Sequence, residues 1–184
     1  MTDDHHLTED ELTALPFSPA LYTRAQALLA SARDRGLHIA TAESCTGGLV
    51  SGLLTAVPGS SDVVEGGFVT YSNTVKHVSL GVPEAALANF GAVSEPVARA
   101  MAEGVLGKLP TADVAVAVTG IAGPAGGSPE KPVGLVHFAA ARRGHPTLHT
   151  VHRFADEGRA AIRLRSVGVA LGLLEQAVNT PLTA

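Results

Sequence analysis

Apolar residues recur with a helical period over residues 18–35, where Leu21, Ala25, Leu28 and Leu29 share a face and Gly36 ends the run. The pattern then changes. A short apolar run at 37–42 predicts a strand, residues 46–57 return to helical periodicity before Pro58, and 63–71 are strand-like again. Short helices follow at 74–80 and 83–90, and a longer one at 94–109 whose Ser94-Glu95-Pro96 start has cap and first-turn chemistry. Residues 113–119, Asp-Val-Ala-Val-Ala-Val-Thr, form an unbroken run of small apolar side chains, which predicts a central strand covered on both faces. Strands at 134–141 and 147–154 flank Arg142-Arg143-Gly144-His145-Pro146 as a hairpin, and a last helix spans 157–178 before Pro181. Strands alternating with helices and closing in a meander predict an α/β three-layer sandwich. Its mixed five-stranded sheet should have the order 2-1-3-4-5, with strand 4 antiparallel.

Bulk properties narrow the class. A chain of 184 residues suffices for one well-packed domain, placed at 16–180, behind a polar tail at 1–15 that is expected to be mobile. Lys and Arg number 13 against 17 Asp and Glu, and no basic stripe forms, which argues against nucleic acid as a partner. The single cysteine excludes an internal disulfide and fits a reducing compartment. The first residues have neither the basic nor the apolar region of a signal peptide, and no apolar stretch reaches the ~20 residues of a membrane span. A cytoplasmic protein is expected.

Three segments carry candidate chemistry. Thr41-Ala42-Glu43-Ser44-Cys45-Thr46-Gly47-Gly48 joins the first strand to the next helix, which would put a serine hydroxyl at a helix N-terminus, where N–H groups and the dipole favour an oxyanion. The plain alternative is that Ser44 or Thr46 only caps that helix. If the helix is a right-handed crossover, strands 1 and 2 are parallel neighbours, and Ser44, Tyr71 and Lys76 share one rim of the sheet. A buried lysine can lose its proton and serve a serine as base; met singly, Tyr71 is strand packing and Lys76 an exposed helix residue. The third strand runs into a loop rich in Gly and Pro at 120–132 that reaches the same rim, and its glycines let backbone N–H groups approach a ligand. No P-loop ending and no Gly-x-Gly-x-x-Gly is present.

Together the segment 41–48, Gly66-Gly67-Phe68-Val69-Thr70-Tyr71-Ser72-Asn73 with Lys76 and Leu80-Gly81-Val82, Gly91-Ala92-Val93-Ser94-Glu95, and Thr119-Gly120-Ile121-Ala122-Gly123-Pro124 through Gly134-Leu135-Val136 resemble a known family. It is the C-terminal domain of the competence/damage-inducible protein CinA, which also occurs alone as nicotinamide-nucleotide amidohydrolase. The resemblance spans about residues 20–178 and implies the same sheet order. It implies Ser44 as nucleophile, with Tyr71 and Lys76 assisting, and hydrolysis of nicotinamide mononucleotide to nicotinic acid mononucleotide and ammonia. Cys45, Thr46 and Gly47 would hold the oxyanion, and Glu43, Asn73, Thr119, Gly120, Gly123 and Arg159 are candidate substrate contacts. The family's Phe-x-Gly-Asp-Arg is reordered here, with one extra residue, in Phe154-Ala155-Asp156-Glu157-Gly158-Arg159. Arg159 and Arg163 either align with the family's arginines or form a solvated helix face. The family's N-terminal nucleotide-pyrophosphatase-like domain has no counterpart in this sequence.

Eight histidines raise the question of a metal. None forms His-x-x-x-His on a helix, strand alternation sends His149 and His152 to opposite faces, and no acidic partner stands at ligand spacing. No metal and no cofactor is expected, and His77 is the histidine nearest the rim. The expected partners are nicotinamide mononucleotide and further copies of the chain, with no nucleic acid and no membrane. The alternative is a non-catalytic ligand-binding or regulatory, protein-interaction module.

Overall fold

The structure, a computed structural model, describes residues 16–181. The expected tail at 1–15, with His5 and His6, lies outside the described residues.

Helix α1 (Pro19–Asp34) starts where the Ser18 hydroxyl accepts a hydrogen bond from Leu21 N and proline occupies its first turn. Strand β1 (Ile39–Glu43), helix α2 (Leu49–Thr55) and strand β2 (Val64–Val69) form a parallel crossover unit. Helices α3 (Asn73–Leu80), α4 (Glu84–Phe90) and α5 (Glu95–Lys108) lead to β3 (Val114–Gly120). The hairpin of β4 (Leu135–Arg142) and β5 (Leu148–Arg153) then precedes α6 (Arg159–Asn179). The sheet order is β2-β1-β3-β4-β5, with β4 antiparallel to both neighbours, as the pattern of apolar runs predicts.

The strands sort their side chains by size. Val114, Val116, Val118, Val136 and Phe138 face α1, α2 and α6, whereas Ala115, Ala117, Ala139, Ala40 and Ala42 face α5. The register places Glu43 opposite both Val69 and Val118, so the carboxyl ends of three parallel strands stand level. That level edge is the rim on which the candidate residues were expected.

Helix α2 departs from expectation. It begins at Leu49 rather than near Thr46, because Gly47 and Gly48 adopt φ of 60° and 95°, a left-handed conformation that ends the turn before helix can start. Ser94 does precede α5, yet its hydroxyl donates to Gly91 O instead of capping the helix. Among the described residues, no helix is long and apolar enough to cross a membrane.

Candidate functional site

Strand pairing continues one residue beyond β1: Ser44 N donates to Val118 O at 2.9 Å, and Thr70 N to Glu43 O at 2.8 Å. Alternation therefore sends Glu43 and Ser44 to opposite faces of the sheet. Glu43 is fully buried on the α2 side, where its carboxylate accepts from Gly48 N at 2.9 Å, Val50 N at 3.1 Å, Ser51 N at 2.8 Å and Ser51 Oγ at 3.0 Å. This corrects two expectations. Glu43 is a cap for α2 and has no free edge for a substrate, and the N-terminus of α2 is already occupied by that carboxylate rather than open to an oxyanion. Neither Ser44 nor Thr46 caps the helix.

Ser44 lies on the other face, 8% exposed, with its Oγ 3.0 Å from Lys76 Nζ. Helix α3 places that lysine: Ser72 caps it through Val75 N, Leu80 anchors its far end in the core, and Lys76 turns inward with 1% exposure. Its Nζ also donates to Thr70 O at 2.7 Å and Tyr71 O at 3.5 Å, and no carboxylate among the described residues pairs with it. Burial pulls the ammonium down to about 8, the cysteine next to Ser44 opposing this slightly. At pH 7 about one lysine in ten is then neutral, against about one in two thousand for a free side chain. A neutral Nζ presents a lone pair to the hydroxyl proton of Ser44. Cys45 is no rival nucleophile, since burial pushes its thiol up to about 11.

Two arginines one helical turn apart on α6 close the rim. Arg159 donates to Gly123 O at 2.9 Å and to Tyr71 Oη at 3.1 Å; Arg163 donates from Nε to Cys45 O at 3.0 Å and from Nη2 to Thr46 O at 2.8 Å. All four acceptors are neutral oxygens. Helix α6 has no side-chain cap and no acid in its first turn, so two cations stand at the positive end of its dipole. Tyr71 is 63% exposed and meets the arginine rather than the serine. Its backbone carbonyl, not its phenol, reaches Lys76.

The other candidates separate. Gly47 N donates to Ser44 O at 3.1 Å and is unavailable to an oxyanion. The Thr46 hydroxyl is buried without a hydrogen-bond partner among the described residues, leaving its backbone N–H as the group of interest. Thr119, buried, donates to Ala92 O at 2.9 Å and ties down the segment before α5. Gly120 ends β3 where a Cβ would stand 2.6 Å from Val136 Cγ2, so it serves strand contact. Gly123 acts through its carbonyl, on Arg159. Asn73 and His77 line a cleft of about 330 Å³ between α3 and α4. There His77 Nδ1 lies 2.9 Å from Val82 O and Nε2 3.7 Å from Glu84, so this histidine does not touch Ser44. On the strand histidines, Glu95 from α5 lies 3.5 Å from His149, which lies 3.1 Å from His137. Among the described residues, no set of three or more His, Cys, Asp or Glu side chains is arranged to hold a metal ion.

Arg163, like Arg159, stood in the sequence as either an aligned arginine or a solvated helix face. Its spacing of four from Arg159 was the available signal, because it puts both on one face of α6.

The fold and site define an α/β/α sandwich carrying a serine and a buried lysine at the carboxyl edge of its parallel strands. The family model described as CinA C-terminal domain matches residues 21–178, and the chain belongs to that family. A CinA-like protein of Akkermansia muciniphila is 46% identical over 170 residues, 92% of this chain and 41% of that protein. The crystal structure of competence/damage inducible protein CihA from Agrobacterium tumefaciens superposes with a TM-score of 0.86 at 49% identity, covering 89% of this chain and 98% of that one. A CinA superfamily protein from Klebsiella pneumoniae 700603 gives 0.80 at 33% identity, over 86% and 97% of the two chains. The match spans 26% to 41% of the length of curated relatives from three organisms.

Proposed function

We propose that the protein is a cytoplasmic amidohydrolase that converts nicotinamide mononucleotide to nicotinic acid mononucleotide and ammonia. One observation carries the catalytic reading: Lys76 Nζ, buried and with its pKa pulled down to about 8, lies 3.0 Å from Ser44 Oγ. Neutral Lys76 takes the hydroxyl proton as Ser44 Oγ bonds to the carboxamide carbon. The resulting ammonium returns that proton to the nitrogen as the C–N bond breaks and ammonia leaves. Water then attacks the acyl ester, giving a proton to Lys76, which returns it to Ser44 Oγ as the C–O bond breaks and the acid leaves. Arg159, exposed and held among the described residues by neutral oxygens, suits the phosphate of the substrate. Substrate identity follows from the family resemblance, since fold and dyad would serve other small amides.

The test is incubation of the purified protein with nicotinamide mononucleotide, following ammonia and the acid product. Stoichiometric formation of both is expected. Absence of both with wild-type protein, and unchanged turnover in Ser44→Ala, are the two results that would refute the substrate and the mechanism respectively.

A further inference from the structure

The turn that carries Ser44 is held by a guanidinium from the far end of the chain. Arg163 grips two successive carbonyls, those of Cys45 and Thr46. A planar trans peptide points its N–H opposite its C=O. Fixing those two oxygens therefore fixes the directions of the Thr46 and Gly47 N–H groups. Gly47 N–H closes the turn on Ser44 O. The Thr46 N–H, like that of Cys45, donates to no backbone carbonyl among the described residues. It points away from the guanidinium, one peptide from the serine. A cation on the carbonyl end also polarises the amide, making the N–H a stronger donor.

Arg159 and Arg163 thus differ in kind. Arg159 is exposed at the rim; Arg163 is half-buried, and its Nε and Nη2 are both engaged by the turn. The planar fork of arginine spans two carbonyls in a way that a lysine ammonium does not.

We propose that Arg163 is a positioning residue: by holding the carbonyls of Cys45 and Thr46 it aims the Thr46 N–H at the oxygen that becomes negative when Ser44 attacks. The inference rests on Ser44 as nucleophile, and it is independent of which amide is the substrate.

The experiment measures two rates in wild type, Arg163→Ala and Arg163→Lys. The first is modification of Ser44 by a fluorophosphonate, located by mass spectrometry. In that step the Ser44 O–P bond forms, P–F breaks, fluoride leaves and the serine proton passes to Lys76, while the phosphonyl oxygen uses the same N–H donor. The second is kcat and KM for nicotinamide mononucleotide. Arg163→Ala should lower the labelling rate and kcat together by about 10²–10³-fold, as for loss of one oxyanion donor. KM should stay within a few-fold, the pH dependence set by Lys76 should be unchanged, and added guanidinium ion should restore part of the rate. Arg163→Lys, which largely fills the same space, should remain more than 10-fold impaired, and it carries the same test if the alanine variant does not fold. An unchanged labelling rate with a raised KM would overturn the proposal and make Arg163 a substrate contact. If wild type labels at Ser44 but does not deamidate the mononucleotide, and the variants lose labelling, the substrate reading fails while the positioning role stands.

Discussion

At the scale of single residues, Lys76 is an ionisable group held in the protein interior with no carboxylate beside it among the described residues. Its burial lowers its affinity for a proton, and that has a thermodynamic sign. The unfolded chain binds the proton up to about 10.5 and the folded protein only up to about 8, so folding is penalised by about 3 kcal/mol at neutral pH. The penalty is complete below pH 8 and fades as pH rises toward 10.5. Lys76→Met should therefore gain stability relative to wild type below pH 8, less what the lost bond to Thr70 O contributes, with the difference shrinking toward pH 10.5. Denaturant melts of both proteins between pH 7 and 10.5 measure it, and a difference that does not change with pH would show that Lys76 is not depressed. The same variant should be inactive, and wild-type kcat/KM should rise along a single-proton limb centred near pH 8. Among the described residues, the Ser44 side chain meets Lys76. Ser44→Ala should change stability by about 1 kcal/mol or less, yet cut turnover on the order of 10⁴-fold or more. Retention of a tenth of the wild-type kcat would exclude covalent catalysis through this residue.

At the scale of elements, the short helix α2 depends on a carboxylate that precedes it by six residues. Glu43 receives three backbone N–H groups and the Ser51 hydroxyl, so it neutralises the positive end of α2 and anchors the turn between them. Glu43→Gln puts an amide donor where N–H groups converge, at a cost of about 1–3 kcal/mol. A lower melting temperature and a reduced kcat, at little altered KM, are expected; a wild-type melting curve would show that the cap is dispensable. This element also marks where sequence reading stops. Residues 113–119 announced a doubly covered strand, and a right-handed crossover between 37–42 and 63–71 was enough to bring Ser44 and Lys76 to one edge. The neighbours Glu43 and Ser44 face opposite sides because pairing continues to residue 44, and composition does not reveal where pairing ends. Gly47 and Gly48 were read as an early helical turn, whereas their positive φ values delay it. Tyr71 marks a related limit: beyond the end of β2 its ring leaves the strand surface, and its phenol accepts from Arg159. The role of Arg163 depends on contacts spanning 117 and 118 residues, which no local pattern encodes.

At the scale of the whole molecule, the two helical layers meet at the turn after β1. Lys76 comes from α3, whose Leu80 belongs to the layer of α5, while Arg163 comes from α6 in the layer of α1 and α2. On the proposed mechanism, proton transfer is therefore set from one side of the sheet and the orientation of the turn from the other. Sliding of one layer by a fraction of an ångström would misalign them while leaving every helix and strand intact. Under that mechanism, catalysis would behave as a vernier on the registry of the two layers. In low urea, activity should fall before the far-ultraviolet circular dichroism changes, and removing the urea should restore it without a refolding lag; coincident loss of both signals would mean that the layers separate only when the whole domain unfolds.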